Sequence, residues 1–336
     1  MKAIGYYQPL PIDNPESLQD IELPAPVAGP RDLLVRVKAI SVNPVDTKVR
    51  KNMAPEAGQP KVLGWDAAGT VEAVGAGVKN FKVGDRVYYA GSIVRPGANA
   101  ELHAVDERIA ALAPTSLDDA QAAALPLTTI TAYELLFDRL KVPKNGGAGQ
   151  TLLVTGGAGG VGSILIQLAR QLTQLRVVAT ASRAETRAWC LALGAHAVID
   201  HSKPLAAELK AAGIGEVDMV ASLTQTGQHY AQIIESLKPQ GQLAVIDDMK
   251  MLDAMPLKTK CISLHWEMMF ARSRFETPDI AEQGALLAEV AALVDAGRIR
   301  TTANASFGAI NAANLRKAHA LIESGKAQGK VVLAGF

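Results

Sequence analysis

The chain has 336 residues, 49% of them apolar and 20% charged, with a formal net charge of +1 at pH 7. This length favours two domains, and the near-neutral charge argues against nucleic acid or a membrane surface as the main partner. The only cysteines are Cys190 and Cys261, which excludes a disulfide framework and a four-cysteine zinc site. We find no signal-peptide pattern and no apolar run of membrane-spanning length, and therefore expect a cytoplasmic protein.

The first part of the chain, up to residue 126, is predicted to be rich in β-structure. Leu33, Val35 and Val37 occupy every second position of one segment, which is typical of a strand with one buried face. The segment 69–89 is dense in glycine and valine. Short strands separated by glycine turns indicate a small irregular barrel.

From residue 151 onward, short runs of valine, isoleucine and leucine alternate with amphipathic helical segments. Repeated units of this kind predict a parallel sheet with helices on both faces, an α/β fold of the doubly wound type. The segment 276–336 is predicted to be helical again, with a final strand at its end. The apolar runs of the predicted parallel sheet are 151–155, 176–180, 198–200, 217–220 and 243–246.

A glycine-rich loop follows the first of these runs. Gly157, Gly159 and Gly162 form the pattern G-x-G-x-x-G, with Gly160 and Val161 inside it, between a predicted strand and a predicted helix. The first glycine permits a tight turn, the second lets a pyrophosphate approach the backbone, and the third lets the helix pack on the strand. No Lys-Ser/Thr follows the loop, which excludes a P-loop. We therefore predict a dinucleotide cofactor.

The end of the second parallel strand, 176–180, indicates which dinucleotide is bound. NAD-binding units usually place an acidic residue there, whereas this chain has Ser182 and Arg183, with Arg187 one turn further on. A serine hydroxyl and a guanidinium are suited to a 2′-phosphate, which a carboxylate would repel. We therefore predict NADPH. The alternative is that Arg183 and Arg187 are ordinary solvated residues at the start of a helix.

Several motifs together resemble the medium-chain dehydrogenase/reductase superfamily over essentially the whole chain. The Asn-Pro-x-Asp and Gly-Gly-Val-Gly motifs resemble its quinone oxidoreductase branch, and the whole chain is most similar to the "zinc-type alcohol dehydrogenase-like" proteins of that branch. The motifs that carry the resemblance are 43–46, 64–71, 83–87, 127–133 and 156–162.

The resemblance implies two domains. Residues 1–126, completed by 271–336, are expected to form a GroES-like β-rich domain, and residues 127–270 are expected to form an NADPH-binding Rossmann domain. The resemblance also implies a homodimer formed through sheet edges near 261–266. The dinucleotide is expected at the carboxyl ends of the parallel strands, as is general for such sheets.

The chain departs from the zinc enzymes of this superfamily at every ligand position. Those enzymes carry cysteine near the position of Asn43 and Gly-His-Glu where this chain has Gly64-Trp65-Asp66. They also carry a four-cysteine lobe, whereas residues 90–100 contain no cysteine. Because zinc needs thiolate, imidazole or carboxylate ligands in tetrahedral geometry, we predict no bound metal.

Without a metal, reduction of an electrophilic acceptor is easier than oxidation of an alcohol. We therefore predict an NADPH-dependent reductase of quinones or α,β-unsaturated carbonyls, acting by hydride transfer. The resemblance places residues matching Asn43 and Thr131 near the nicotinamide. It places those matching His201, Ile246 and Phe270 along the rest of the cofactor groove.

Asn43 and Asp46 are the candidate catalytic residues. The Asn43 amide is suited to a developing oxyanion, and Asp46 is the nearest acid, although it is equally suited to capping a turn. The sequence leaves two alternative functions: a zinc-dependent alcohol dehydrogenase, and a non-catalytic NADPH-binding sensor or structural protein.

Overall fold

The computed structural model describes all residues, Met1–Phe336, and divides into two compact units. The first unit comprises Met1–Ile130 and Phe270–Phe336, and the second comprises Thr131–Met269. These boundaries lie close to those predicted after residues 126 and 270. None of the helices combines the length and the apolar character needed to cross a membrane.

The N-terminal part of the first unit consists mainly of strands. Short 3₁₀ turns at Pro15–Ser17 and Glu107–Ile109 interrupt it. In chain order its elements are β1 (Lys2–Tyr6), β2 (Gln19–Glu22), β3 (Asp32–Val42), α1 (Pro44–Asn52), β4 (Lys61–Val62), β5 (Ala67–Val74), β6 (Arg86–Tyr89), β7 (Leu102–Asp106), β8 (Ala110–Leu112) and α2 (Asp119–Ala123).

The second unit begins within helix α3 (Pro126–Tyr133), which continues directly into a π-helical turn, Glu134–Arg139. Strands and helices then alternate as predicted. They are β9 (Thr151–Val154), α4 (Gly160–Leu172), β10 (Arg176–Thr180), α5 (Ala184–Ala192), β11 (Ala197–Ile199), α6 (Leu205–Ala211), β12 (Val217–Ser222), α7 (Thr226–Ser236), β13 (Leu237–Val245), α8 (Met255–Lys258) and β14 (Ser263–Trp266).

The chain then returns to the first unit and completes its main sheet. Strand β16 pairs antiparallel with β3, so the last strand of the chain lies beside one of the first. The returning elements are α9 (Ala271–Phe275), α10 (Glu282–Asp295), β15 (Ala303–Ser306), α11 (Ala312–Glu323) and β16 (Lys330–Ala334).

The first unit contains two sheets. The larger has the order β15-β16-β3-β5-β6-β8, with β7 also paired to β3, and the smaller has the order β2-β1-β4. The β3–β5, β3–β7 and β16–β3 pairs are all antiparallel. This is the irregular β-rich architecture that the sequence predicts.

The second unit contains one six-stranded parallel sheet with the order β11-β10-β9-β12-β13-β14. The chain enters at β9, winds outward to β11, then crosses to β12 and winds the other way. This confirms the doubly wound prediction, and the reversal between β9 and β12 is where such sheets bind ligands. Every residue of β9 is buried, as expected of a strand covered on both faces. Strand β14 is an edge strand, and the predicted homodimer through it stays a prediction.

Candidate functional site

The glycine loop connects β9 to α4, and the structural reason for a glycine differs from one position of the loop to the next. Gly156 has φ +64, in the left-handed region that favours glycine. The turn glycine is therefore Gly156, one residue before the position that the sequence motif indicates. A Cβ on Gly157 would lie 2.7 Å from the Cβ of Ala179, and one on Gly162 would lie 2.6 Å from the carbonyl oxygen of Gly156. Packing within the protein therefore requires glycine at 157 and 162.

Gly159 differs, because the protein itself does not require a glycine there. Its φ of −72 is ordinary for any residue, and a Cβ would meet only the carbonyl oxygen of Gly156, at 3.4 Å. Gly159 is the N-cap of α4 and supplies no capping side chain. Space is thus kept open at the start of a 13-residue helix. Its unpaired N–H groups and positive dipole end form an anion site, so this loop fits a dinucleotide pyrophosphate.

The end of β10 places Ser182 and Arg183 on the surface. Nε of Arg183 lies 3.0 Å from a carboxylate oxygen of Glu185, an exposed pair that contributes little to stability. Arg187 has a structural role that the sequence did not indicate. Its guanidinium donates to the carbonyl oxygens of Ala181 at 3.3 Å and Val198 at 2.8 Å, which ties together the ends of β10 and β11. Binding of a 2′-phosphate by these residues stays a prediction.

A cavity opens beside the glycine loop, at the carboxyl ends of β9 to β12. His201 lines this cavity, together with His229 of α7. The sequence patterns did not predict that His229 would be part of the site. The Nδ1 atoms of both rings are buried without a hydrogen-bond partner, and the ring centroids are 6.2 Å apart. Burial, and then His201, lower the pKa of His229. The cavity encloses about 270 Å³, counting its open mouth, and is lined by Thr155, Gly156, Thr180, His201, Leu205, Thr224, Gln225 and His229.

The other predicted cofactor residues occupy three separate places. Thr131 is buried in α3. Ile246 directly follows β13 and donates its N–H to Ser222 at 3.3 Å. Phe270 belongs to the first unit, where its ring packs edge-to-face on Trp65 with centroids 6.0 Å apart. Their contacts with a cofactor stay predictions.

Asn43 lies in a buried charge cluster of the first unit. Its Nδ2 donates to Oδ2 of Asp66 at 2.8 Å and lies 3.4 Å from the carbonyl oxygen of Ser41. The ammonium of Lys330 donates to the same Asp66 oxygen at 2.9 Å and to Oδ1 of Asn43. Lys330 is a residue that sequence reasoning missed. The Asn43 amide, which we predicted to face a substrate oxyanion, is therefore directed at protein acceptors. A catalytic role for Asn43 stays a prediction.

Asp46 stabilises the backbone around this cluster. Its two carboxylate oxygens accept from the N–H of Asn43 at 2.7 Å, at the start of α1, and from the N–H of Gly64 at 3.0 Å. Burial raises the pKa of Asp46 to about 7, against the opposing effects of its hydrogen bond to Asn43 and of Lys330. The structure thus shows the capping role, and a catalytic role for Asp46 stays a prediction.

The residues at the zinc-ligand positions do not fit a zinc ion. They are an amide, an indole and a carboxylate: Asn43, Trp65 and Asp66. The indole N–H donates to the carbonyl oxygen of Ser92 at 3.2 Å, and the carboxylate is already paired with the Lys330 ammonium. Nowhere does the chain bring together three His, Cys, Asp or Glu side chains that could hold a metal ion. A fixed ammonium thus stands beside the carboxylate that would face a metal.

Comparison with known families agrees with this architecture. Residues 29–115 match the family described as the alcohol dehydrogenase GroES-like domain, and residues 193–333 match the zinc-binding dehydrogenase family. A zinc-type alcohol dehydrogenase-like protein of Staphylococcus aureus is 40% identical over 99% of both chains. The chain belongs to the medium-chain dehydrogenase/reductase superfamily, in its quinone oxidoreductase branch. The GroES-like and Rossmann assignments are thereby confirmed.

Solved structures and a further relative extend the comparison. A Rhizobium etli protein described as a candidate zinc-dependent alcohol dehydrogenase has a TM-score of 0.96 and 56% identity, covering 100% of this chain and 98% of that one. The Escherichia coli quinone oxidoreductase complexed with NADPH has a TM-score of 0.83 and 26% identity, covering 99% and 100%. An NADPH-dependent alkenal/one oxidoreductase of Arabidopsis thaliana is 37% identical over 62% of this chain and 56% of its own.

Substitution of Gly159 separates ligand binding from folding. We expect Gly159→Thr to keep the free energy of unfolding within about 0.5 kcal/mol, because threonine is as good an N-cap as glycine. The added side chain fills the open space and competes for the helix N–H groups. We therefore expect the Kd for NADPH to rise at least about tenfold, which corresponds to ~1.4 kcal/mol. Fluorescence titration measures the binding and urea unfolding measures the stability. Unchanged NADPH binding would show that this space serves no ligand.

Proposed function

We propose that this oxidoreductase is a zinc-independent, NADPH-dependent reductase of quinones or α,β-unsaturated carbonyls. The observation that carries the proposal is the open start of α4, where Gly159 leaves room that the fold does not need. The Escherichia coli quinone oxidoreductase and the Arabidopsis alkenal/one oxidoreductase support the choice of acceptor class. When bound, the coenzyme supplies a hydride to the acceptor.

In the proposed reaction, residues of the chain bind the coenzyme and orient it toward the acceptor. The start of α4 holds the pyrophosphate, while Ser182 and Arg183 at the end of β10 bind the 2′-phosphate. His201 and His229 bring two unpartnered ring nitrogens to the cavity on the same edge of the sheet. Holding the donor and the acceptor in fixed geometry lowers the barrier, because a bimolecular step becomes effectively unimolecular.

We propose a reaction without zinc for two reasons, which are the types of side chain at the zinc-ligand positions and the charge beside them. The Asp66 carboxylate is paired with a buried ammonium, so a second cation beside it would meet repulsion. Quinones and enones are already electrophilic at the carbon that accepts hydride and therefore need less Lewis-acid help than an alcohol. A zinc-dependent alcohol dehydrogenase would need ligands that this cluster does not have.

Removal of the Arg183 guanidinium tests the coenzyme preference. We expect Arg183→Ala to raise the KM for NADPH by about ten- to a hundredfold, the loss of one charge-assisted hydrogen bond, with little effect on NADH. The matched control is Arg176→Ala, because Arg176 is exposed at the opposite end of the same strand. Steady-state kinetics with both coenzymes gives the comparison. Equal effects of the two substitutions would contradict the assignment.

Turnover by purified, chelator-treated protein tests the function. A small benzoquinone and an α,β-unsaturated ketone serve as acceptors, and NADPH absorbance gives the rate, with NADH as the control donor. We expect NADPH oxidation that depends on the acceptor. Tight NADPH binding without turnover of either acceptor would instead support the non-catalytic sensor or structural protein.

A further inference from the structure

A second group of ionisable side chains lies inside the Rossmann unit. The side chains of Glu134 and Glu267 are both fully buried. Nε of Arg139 donates to Oε2 of Glu267 at 2.7 Å, and Nη2 of Arg139 lies 3.9 Å from Oε2 of Glu134. Two carboxyl groups removed from solvent therefore share one guanidinium, and Oε1 of Glu267 meets no hydrogen-bond donor.

The π-helical turn explains how one helix supplies two members of this group. Glu134 and Arg139 are five residues apart, and in an α-helix such residues point about 140° away from each other. Here the N–H of Leu140 bonds the carbonyl oxygen of Leu135 at 2.9 Å, an i→i+5 bond that widens the turn. The wider turn brings Glu134 and Arg139 to the same side, facing Glu267. Single π-turns of this kind are frequent at functional sites.

The charges of the group are unbalanced unless one carboxyl holds a proton. Burial, and after it the Glu134 carboxyl, raise the pKa of Glu267 to about 9, with Arg139 acting against them. His265 of β14 adds no compensating charge at neutral pH, because burial, Lys141 and Arg139 all lower its pKa. One guanidinium balances one carboxylate, so the pair keeps one proton at neutral pH.

The position of Glu267 connects this group to the ligand-binding edge of the sheet. Glu267 directly follows β14, and its N–H donates to the carbonyl oxygen of Val245 at 3.0 Å, at the end of β13. Ile246, one of the predicted cofactor residues, is the next residue after Val245. The buried carboxyl therefore anchors the place where the ends of β13 and β14 meet, on the edge where sheets of this type bind ligands.

We propose that Glu267, together with Glu134 and Arg139, is a positioning residue that fixes the ends of β13 and β14 for coenzyme binding only while the carboxyl pair retains its shared proton. This role rests on the proposed function. Loss of the proton puts two negative charges beside one guanidinium in a buried site. Their repulsion displaces the end of β14, so coenzyme affinity falls as the solution becomes alkaline.

The isosteric variant Glu267→Gln tests this role. A glutamine keeps an acceptor for Arg139 and a donor toward Glu134, which is the hydrogen-bonding pattern of the protonated acid, and it cannot ionise. Between pH 7 and pH 10 we expect the Kd for NADPH of the unaltered protein to rise about tenfold more than that of Glu267→Gln. Arg139→Gln should move the onset to higher pH, because the guanidinium is the group that favours ionisation.

Thermal unfolding provides a readout that needs no coenzyme. The folded state holds a proton that the unfolded state has lost above its ordinary glutamate pKa, so this group makes stability fall as pH rises toward 9. We expect the Tm of the unaltered protein to fall more steeply between pH 6 and pH 10 than that of Glu267→Gln. The matched control is Glu216→Gln, at an exposed glutamate paired with Lys260, which should keep the original slope.

The outcomes separate this role from the proposed function. Parallel Tm profiles of the unaltered protein and Glu267→Gln would overturn the shared proton. Tight NADPH binding with equal pH dependence in both proteins would overturn the positioning role alone. No NADPH binding at any pH would overturn the proposed function and the positioning role together.

Discussion

Lys330→Met is expected to lower the free energy of unfolding by about 3–5 kcal/mol, because it removes one partner of a buried ion pair. The side chains of Lys330 and Asp66 are 3% and 0% exposed. Methionine preserves much of the apolar stem but leaves the Asp66 carboxylate without its cation. It also leaves the carbonyl oxygen of Val42 and Oδ1 of Asn43 without their donor. Urea unfolding at pH 7 measures the change.

Two further variants separate the buried charge from general damage. Adding Asp66→Asn to Lys330→Met should recover part of the loss, since a neutral amide needs no counterion and still has an oxygen to accept the N–H of Leu127. Lys82→Met should change stability by less than about 0.5 kcal/mol, because the Lys82 side chain is 84% exposed in its pair with Asp85. A Lys330→Met effect as small as that of Lys82→Met would contradict the account of the cluster.

We expect the free energy of unfolding to fall strongly in acid because of His319. The residue is fully buried in α11, and neither ring nitrogen has a hydrogen-bond partner. Burial, and then Arg50 and Lys51, lower the pKa of His319 to about 3. The unfolded chain takes up this proton near pH 6.5, so the stability that His319 contributes is complete above that pH and is lost as pH falls toward 3. Between pH 7 and pH 4 the loss amounts to roughly 3 kcal/mol.

The variant His319→Leu isolates this contribution from that of the carboxyl groups, which also titrate in acid. Leucine fills a similar apolar space and removes two buried nitrogens without partners, so at pH 7 we expect stability equal to or above that of the unaltered protein. Between pH 7 and pH 4 the variant should lose about 3 kcal/mol less. Urea unfolding at several pH values gives the comparison, and parallel losses in the two proteins would refute the role of His319.

The sequence predicted those parts of the fold that depend on local patterns. The apolar residues of the runs that became β9, β10, β12 and β13 are almost all buried, as in strands covered on both faces, so their composition identified a parallel sheet directly. The glycine loop was identified by its spacing between a strand and a helix. Its spacing does not distinguish Gly157 and Gly162, where tertiary packing requires glycine, from Gly159, where it does not.

Local sequence patterns could not predict the two buried charge clusters, for two physical reasons. Lys330 meets Asp66 across 264 residues of chain, and only the register of β16 against β3 brings it beside Asn43. Glu134 and Arg139 have a spacing that would place them on different faces of an ordinary α-helix, and nothing in the sequence indicates the π-turn. Sequence patterns therefore identified the cofactor loop, whereas tertiary pairing determined the buried ionisable groups.

Transfer of deuterium from NADPH labelled at the reactive carbon of the nicotinamide tests whether this protein transfers hydride without zinc. The chelator-treated protein is mixed with the labelled coenzyme and an α,β-unsaturated ketone, the product is analysed by mass spectrometry, and the zinc content of the same sample is measured. We expect deuterium in the reduced product and far less than one zinc per chain. Loss of transfer on chelation, with recovery only on adding zinc, would contradict this expectation.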